Sequence, residues 1–430
     1  MDAGLLDMKK IVTNIKENKI LQEESLTKID NVDNKIVINN DCITTWLGMG
    51  GAITEASAYN YSLLSKAKKR EIIDSYYSCN GLNYELGRIS IGSNDFSLKS
   101  FEYLTNDNLN SFNIDQDKKY IIPLLHDIYK EKKLDLIASP WSPPSFMKTN
   151  HNLLHGGRLK RKYYELYSDY LIKYLNEYHK LGFNIKYLTM QNEPFARQRW
   201  ESCIYPLRKQ RLFINDYLIN KLNDTKILLW DHNREHLNKV VNKLYINNKK
   251  IAGVGMHWYT GGYYEKIKEV HDNYPDYLII NTEMCCGYSK YNKLNWINDA
   301  ELYLKDIISC MNNGVNAYLD WNILLDYNGG PSHKANYVKS AIILNEDKND
   351  IIKTPIYYYL YHISHFIKRG YKIITCNSIN DLYVVCACNK DDVILVVMNT
   401  RDDSKSYEVS YKDALFSDVI EGHEIITYVI

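Results

Sequence analysis

The chain has 430 residues, 45% of them hydrophobic, with 53 basic against 52 acidic side chains. That supplies a core for one large domain and a small one. A formal net charge of +1 leaves no basic footprint of the kind that nucleic acid or an anionic membrane would demand.

From the N-terminus, the stretch 1–20 carries Asp2, Asp7, Lys9, Lys10, Lys16 and Glu17 and has no apolar core of the kind a leader uses. Short strand-like runs such as Lys35–Ile38 follow, too few to bury a core alone. From Trp46 to Arg369 short apolar runs alternate with helical patterns. The runs are Leu47–Ile53, Tyr84–Ile91, Leu134–Ser139, Ile185–Met190, Lys226–Asp231, Ile251–His257, Tyr277–Thr282 and Val315–Trp321. Each reads as a strand buried on both faces. Between them, Tyr163, Tyr167, Tyr170, Tyr174, Tyr178 and Leu181 recur at helical spacing, as do Ala300, Leu304, Ile307 and Met311. Gly182 and Gly314 stand where left-handed C-caps fall. The tyrosine stripe is expected to be a buried helix face whose hydroxyls reach the rim. Eight strand–helix units predict an α/β fold, a closed (β/α)₈ TIM barrel, rather than an open sheet.

After Tyr371 the pattern turns to strands and turns: Lys372–Cys376, Leu382–Cys388, Val393–Met398, Tyr407–Tyr411 and Ile425–Ile430. The expected organisation is a catalytic barrel over residues 46–369 and one appended β-sandwich built from both termini, 1–45 and 370–430. The best apolar run, Val393–Met398, is too short to span a bilayer. Nine cysteines without a C-x-x-C pair argue against a disulfide framework or a zinc site. They point to a reduced, cytoplasmic protein.

In such barrels the working residues sit where strands end. Here those ends carry Arg88 with Asp95 beyond it, Ser139-Pro140-Trp141, Gln191-Asn192-Glu193-Pro194, Trp230-Asp231-His232, His257-Trp258-Tyr259, Asn281-Thr282-Glu283 and Asp320-Trp321-Asn322. Glycosidic cleavage needs one carboxyl group to protonate the leaving oxygen and, in retaining enzymes, another to attack the anomeric carbon. Glu193 and Glu283, on strands four and seven, are placed to face each other across the mouth. Pro194 biases Glu193 towards extended backbone. An ionised Glu283 is expected to raise the Glu193 pKa, with Arg88 holding Glu283 charged.

Seven segments, in register, resemble glycoside hydrolase family 30. They are Gly48-Met-Gly-Gly-Ala-Ile-Thr-Glu-Ala, Asn83-Tyr-Glu-Leu-Gly-Arg-Ile-Ser, Ala138-Ser-Pro-Trp-Ser-Pro-Pro-Ser-Phe-Met-Lys-Thr-Asn, Thr189-Met-Gln-Asn-Glu-Pro, His257-Trp-Tyr, Thr282-Glu-Met-Cys-Cys-Gly and Asp320-Trp-Asn. The resemblance implies a retaining β-glycosidase of the glucosylceramidase-like type, without metal or organic cofactor. It implies Glu193 as acid/base, Glu283 as nucleophile and Asn192 as partner of the sugar 2-hydroxyl. Asp95, Trp141, Trp321 and Asn336 match sugar-binding positions, and His257 and Tyr259 match pocket positions near the nucleophile. The Trp200-Glu201-Ser202-Cys203 run is closer to bacterial members, which points away from ceramide-linked substrates. The implied partner is a carbohydrate or glycoside, with β-1,6-glucanase and β-xylosidase activity as alternatives and a glycan-binding pseudoenzyme as the non-enzymatic reading.

Other patterns carry less. His232-Asn-Arg-Glu-His236 fits H-x-x-E-H but begins at a strand end, so hydrogen bonding is expected there rather than zinc. Gly48-Met-Gly-Gly lacks dinucleotide spacing and reads as a tight bend. Cys285 reads as strand-end packing.

Overall fold

A computed structural model describes residues 8–29, 32, 34–287, 296–377, 379–412 and 414–430. Asp2 and Asp7, part of the segment inspected for a leader, lie outside the described residues. Three strands come first: β1 (Lys9–Asn14), β2 (Lys19–Glu24) and β3 (Lys35–Thr45). The barrel follows with β4 (Gly48–Ala52), β5 (Leu86–Ile91), β6 (Asp135–Pro140), β7 (Ile185–Thr189), β8 (Lys226–Asn233), β9 (Ile251–His257), β10 (Leu278–Glu283) and β11 (Ala317–Asp320). These eight close on themselves in the order β10-β11-β4-β5-β6-β7-β8-β9. Each expected apolar run contributes one of them. The runs are apolar on both faces because side chains fill the interior and helices cover the outside.

Local chemistry sets the details. A Cβ on Gly50 would stand 2.3 Å from the Leu86 carbonyl oxygen, so glycine there permits close approach of β4 to β5. Gly182 and Gly314 have φ of +87° and +98°, as C-caps require. The helix Tyr164–Lys180 buries Tyr167, Tyr170, Tyr174 and Tyr178. Their hydroxyls do not reach the rim as expected: Tyr178 donates to Asp117 at 2.8 Å and Tyr174 to the Ser90 carbonyl at 3.3 Å, inside the wall. A buried phenol needs an acceptor, and these are the ones in reach.

After the barrel come a small pair, β12 (Ile342–Leu344) and β13 (Ile351–Lys353), then β14 (Lys372–Cys376), β15 (Leu382–Cys388), β16 (Val393–Asn399), β17 (Lys405–Tyr411), β18 (Ala414–Ile420) and β19 (Ile425–Val429). Both termini build one nine-stranded sheet, ordered β18-β17-β3-β14-β15-β16-β19-β1-β2. Strand β3 pairs in parallel with β17 through Lys35–Val37 and antiparallel with β14 from Ile38 to Thr45. That double pairing lets the sheet curl over itself. Tyr407 and Tyr428 touch through their hydroxyls at 2.6 Å across the fold. Along β16, Leu395 and Val397 face this inner core, while Ile394, Val396 and Met398 pack with the barrel's outer core. The alternation is the two-residue period of a strand buried on both sides. Among the described residues no helix is long and apolar enough to cross a membrane.

Candidate active site

Backbone strain gathers where the strands end. Trp230 and Asp231 have φ of +74° and +68°, and the β8–β9 register slips between Trp230 and His232. The bulge re-aims Asp231 and His232. Glu193 has φ of +46° and lies beyond the end of β7, so the extended backbone expected from Pro194 is not what forms. Its N–H donates to the Asp231 carbonyl at 2.9 Å, and its own carbonyl accepts from Ala196 at 2.9 Å. That tight turn outweighs the proline's preference. Left-handed non-glycine residues at the ends of two adjacent barrel strands fit a working site.

A pocket of about 400 Å³ opens here. Glu193, Glu283 and Asn192 line it, together with Asp95, Asn336 and Tyr259. Trp141 and Trp321 form its floor, stacked with ring centroids 5.4 Å apart and planes 19° from parallel. Arg88 lies under them, its guanidinium carbon 4.8 Å from the Trp141 ring centre. Of the ten expected residues, Arg88 and His257 are therefore not wall residues: both are buried behind the pocket.

Those two do electrostatic work from behind. Arg88 donates to Glu283 Oε2 at 2.5 Å, to Asn192 Oδ1 at 2.9 Å and to Asp231 Oδ2 at 3.1 Å. Tyr259 donates to the other nucleophile-side oxygen, Glu283 Oε1, at 2.8 Å. Asp231 also accepts from Thr189 at 2.7 Å and from Thr282 at 2.6 Å, and faces His257 Nε2 at 3.2 Å. His257 Nδ1 in turn lies 3.5 Å from Glu193 Oε1, as does His232 Nδ1. Gln198 donates to Glu193 Oε2 at 3.3 Å. Charges thus alternate in sign from Glu193 through His257, Asp231 and Arg88 to Glu283.

The protonation that results differs in one respect from expectation. Burial alone lifts the Glu193 carboxyl, but the His232 and His257 imidazoles, 3.5 Å from its Oε1, outweigh it and hold Glu193 well below the usual range. The expected raising of Glu193 by Glu283 is not what the site shows: the two imidazoles 3.5 Å from Glu193 Oε1 dominate. Burial alone depresses His257, yet Glu283, Asp231 and Glu193 around it push it up to about 9. Burial also lifts Asp231, but Arg88 and His257 hold it far below the carboxylate range. Asp95, which accepts from Asn336 at 2.7 Å, is raised by burial to about 7.

Several participants escaped the sequence reading. Asp231 and His232 were legible as a strand end, but the bulge that turns them inward was not. Gln198, Trp200 and Asn233 line the pocket from loops and one strand end. Cys285 does more than pack: it lines the pocket with Sγ 3.2 Å from the Tyr259 hydroxyl.

The geometry finds its counterpart among known proteins. A model of the glycosyl hydrolase family 30 TIM-barrel domain matches residues 47–367. The chain belongs to glycosyl hydrolase family 30. This family 30 hydrolase is 29% identical over 412 residues to the lysosomal acid glucosylceramidase of Mus musculus, covering 89% of this chain and 80% of the relative. Among solved structures it is similar to SrfJ from Salmonella typhimurium, with 27% identity, a TM-score of 0.92, and 98% and 99% of the two chains covered. It is also similar to the endo-beta1,6-glucanase BT3312, with 26% identity, a TM-score of 0.87, and 98% and 99% covered. As a family 30 member the chain is a glycoside hydrolase on a TIM barrel with a curled sheet made from both ends of the chain.

Proposed function

We propose that this hydrolase cleaves β-linked glucosides with retention of configuration, Glu283 as nucleophile and Glu193 as acid/base. The observation that carries the reading is the pair of carboxylates on one small pocket, each with both oxygens addressed by the protein. Arg88 and Tyr259 aim Glu283 at the anomeric carbon of a sugar lying on the tryptophan floor. Attack expels the aglycone, whose oxygen takes a proton from Glu193. Water then enters, Glu193 removes its proton, and the glycosyl ester on Glu283 is hydrolysed. His257 Nδ1, 3.5 Å from Glu193 Oε1, is a near source of the proton the first step consumes. Asn192, held by Arg88, is oriented for the sugar 2-hydroxyl, a bond that strengthens in the transition state. Asp95 with Asn336 meets other ring hydroxyls.

The likeness to the glucosylceramidase supports a glucose-sized pocket and a β-glucosidic bond. Action on short β-glucosides rather than glucosyl lipids is the reading favoured here. A second reading, endo-β-1,6-glucanase, is supported by the likeness to that glucanase. Nine cysteines with no disulfide among them favour a reducing, cytoplasmic setting.

The test is hydrolysis of aryl β-glucoside, β-xyloside, β-galactoside, a β-1,6-glucan and a glucosyl lipid by the wild type, Glu283→Ala and Glu193→Gln. Aryl β-glucoside turnover abolished by Glu283→Ala, and lost in Glu193→Gln chiefly for poor leaving groups, is the expected result. Turnover that survives Glu283→Ala overturns the assignment, and turnover of glucan alone selects the second reading.

A further inference from the structure

Three potential ligand atoms face one another beside the pocket. Glu193 Oε1 lies 3.5 Å from His232 Nδ1 and 3.5 Å from His257 Nδ1. Both imidazole nitrogens are buried, and neither has a hydrogen bond of good geometry. All three atoms fall within 4.8 Å of one another. A tetrahedral Zn²⁺ with nitrogen and carboxylate ligands at about 2.0–2.2 Å sets those ligand atoms roughly 3.3–3.6 Å apart. The two 3.5 Å separations have that length.

The surroundings fit the same purpose. His257 Nε2 faces Asp231 Oδ1 at 3.2 Å, the carboxylate–histidine pairing that holds the ring with Nδ1 towards Glu193 and, once an ion displaces the Nδ1 proton, raises the basicity of that nitrogen. Asp231 cannot swing in as a competing ligand, because Arg88, Thr189 and Thr282 hold both its oxygens. The bulge at Trp230–Asp231 fixes the backbone from which His232 projects. His236, the other half of the H-x-x-E-H pattern, is exposed and takes no part. The cluster is assembled in space, from His232 and a histidine on the neighbouring strand.

We propose that Glu193, His232 and His257 form a binding site for a borderline-soft divalent cation, Zn²⁺ foremost, whose occupancy reversibly silences the enzyme. Two imidazoles and a carboxylate suit Zn²⁺, whereas Mg²⁺ and Ca²⁺ demand oxygen ligands. Glu193 lines the pocket, so the ion's fourth position is open to water. A carboxylate committed to a metal neither donates nor accepts the proton the reaction needs. The silencing rests on the reading of Glu193 as acid/base; the binding rests on the ligand geometry alone.

The experiment titrates Zn²⁺ into the full-length, chelator-treated protein against a chromophoric chelator, with no substrate present. Aryl β-glucoside hydrolysis is then followed over the same Zn²⁺ range. We expect one Zn²⁺ per chain, undisturbed by millimolar Mg²⁺ or Ca²⁺, with affinity lowered about tenfold or more in His232→Ala and in His232→Asn. Thermal unfolding of the two variants confirms that they fold. Turnover is expected to fall with the same midpoint as binding and to return with EDTA. Zn²⁺ affinity unchanged in both His232 variants overturns the site. Stoichiometric binding with undiminished turnover overturns the silencing. A metal-free enzyme that hydrolyses no glycoside overturns the acid/base reading and the silencing with it, while the binding titration still decides the site.

Discussion

Asp231 stands between Arg88 and His257, 3.1 Å from the guanidinium and 3.2 Å from the imidazole, and is fully buried. It is the hinge of the charge alternation that joins the two catalytic candidates. A buried carboxylate between two cations is tolerable because each partner is satisfied, and removing its charge leaves Arg88 and His257 each with one carboxylate instead of two. Asp231→Asn is therefore expected to lower kcat about 10²-fold through misplacement of the groups it holds. KM should change less, since Asp231 touches no substrate. Steady-state kinetics over a range of aryl β-glucoside concentrations separates the two parameters, and an unchanged kcat would remove Asp231 from the positioning of the site.

Asp95 supplies a pH dependence. Burial raises its carboxyl to about 7, against the pull of Asn336. Below that value the group is protonated in the free enzyme, and above it the carboxylate accepts from sugar hydroxyls. The value of kcat/KM, which reports free-enzyme ionisations, is expected to rise with pH through about 7 on this account. Asp95→Asn should flatten that limb and raise KM. A limb of the same position and steepness in the variant would assign it to another group.

Arg234 tests the outer wall. It is buried and donates to Asp306 at 2.9 Å, and Tyr264 donates to the same carboxylate at 2.9 Å. Arg234→Met leaves a buried carboxylate without its cation, which costs about 3–5 kcal/mol. Urea unfolding monitored by tryptophan fluorescence should show a midpoint lowered accordingly. Adding Asp306→Leu should recover much of the loss, because the pair contributes less than either orphaned partner costs.

His362 tests the seam between barrel and sheet. It lies in the helix Pro355–Ser364 and sits between the hydroxyls of Thr13 and Thr427, 2.8 Å from each. Burial depresses its pKa from 6.5 to about 3, so the folded state requires the neutral ring. Stability from this group is complete above about 6.5 and is lost as pH falls towards 3, up to about 5 kcal/mol in all. Equilibrium unfolding across that window should be flatter with pH in His362→Gln, whatever its absolute stability. An unchanged slope would place the acid sensitivity elsewhere.

Much of this was legible beforehand, for definable reasons. A parallel barrel strand is short and apolar on both faces, so Ile251–His257 could be read to the residue. Glu283 closes its strand and needed no further cue. Glu193 was found by its neighbours, but its left-handed backbone was not, since it answers to a contact with Asp231 distant in sequence. The inward turn of His232 depends on a bulge that leaves no periodicity behind. Strand β18 was overlooked because Asp418 breaks its apolar pattern, and that residue is buried because Lys10, at 2.8 Å, neutralises it while Tyr428 and the Thr27 N–H donate to it. A polar residue that looks like surface is core when its partner lies at the other end of the chain.

That partner has a temporal meaning. Lys10 and Asp418 are 408 positions apart, and β1 lies against β19 in the same sheet. Contacts so remote form late, whereas neighbouring barrel strands, the closing pair β11 and β4 apart, meet after a few dozen residues. On the ribosome the barrel can form first, with β1 held in reserve as an unpaired edge. Strand β19 then slots between β16 and β1, and its arrival joins the strands before the barrel to those after it in one step.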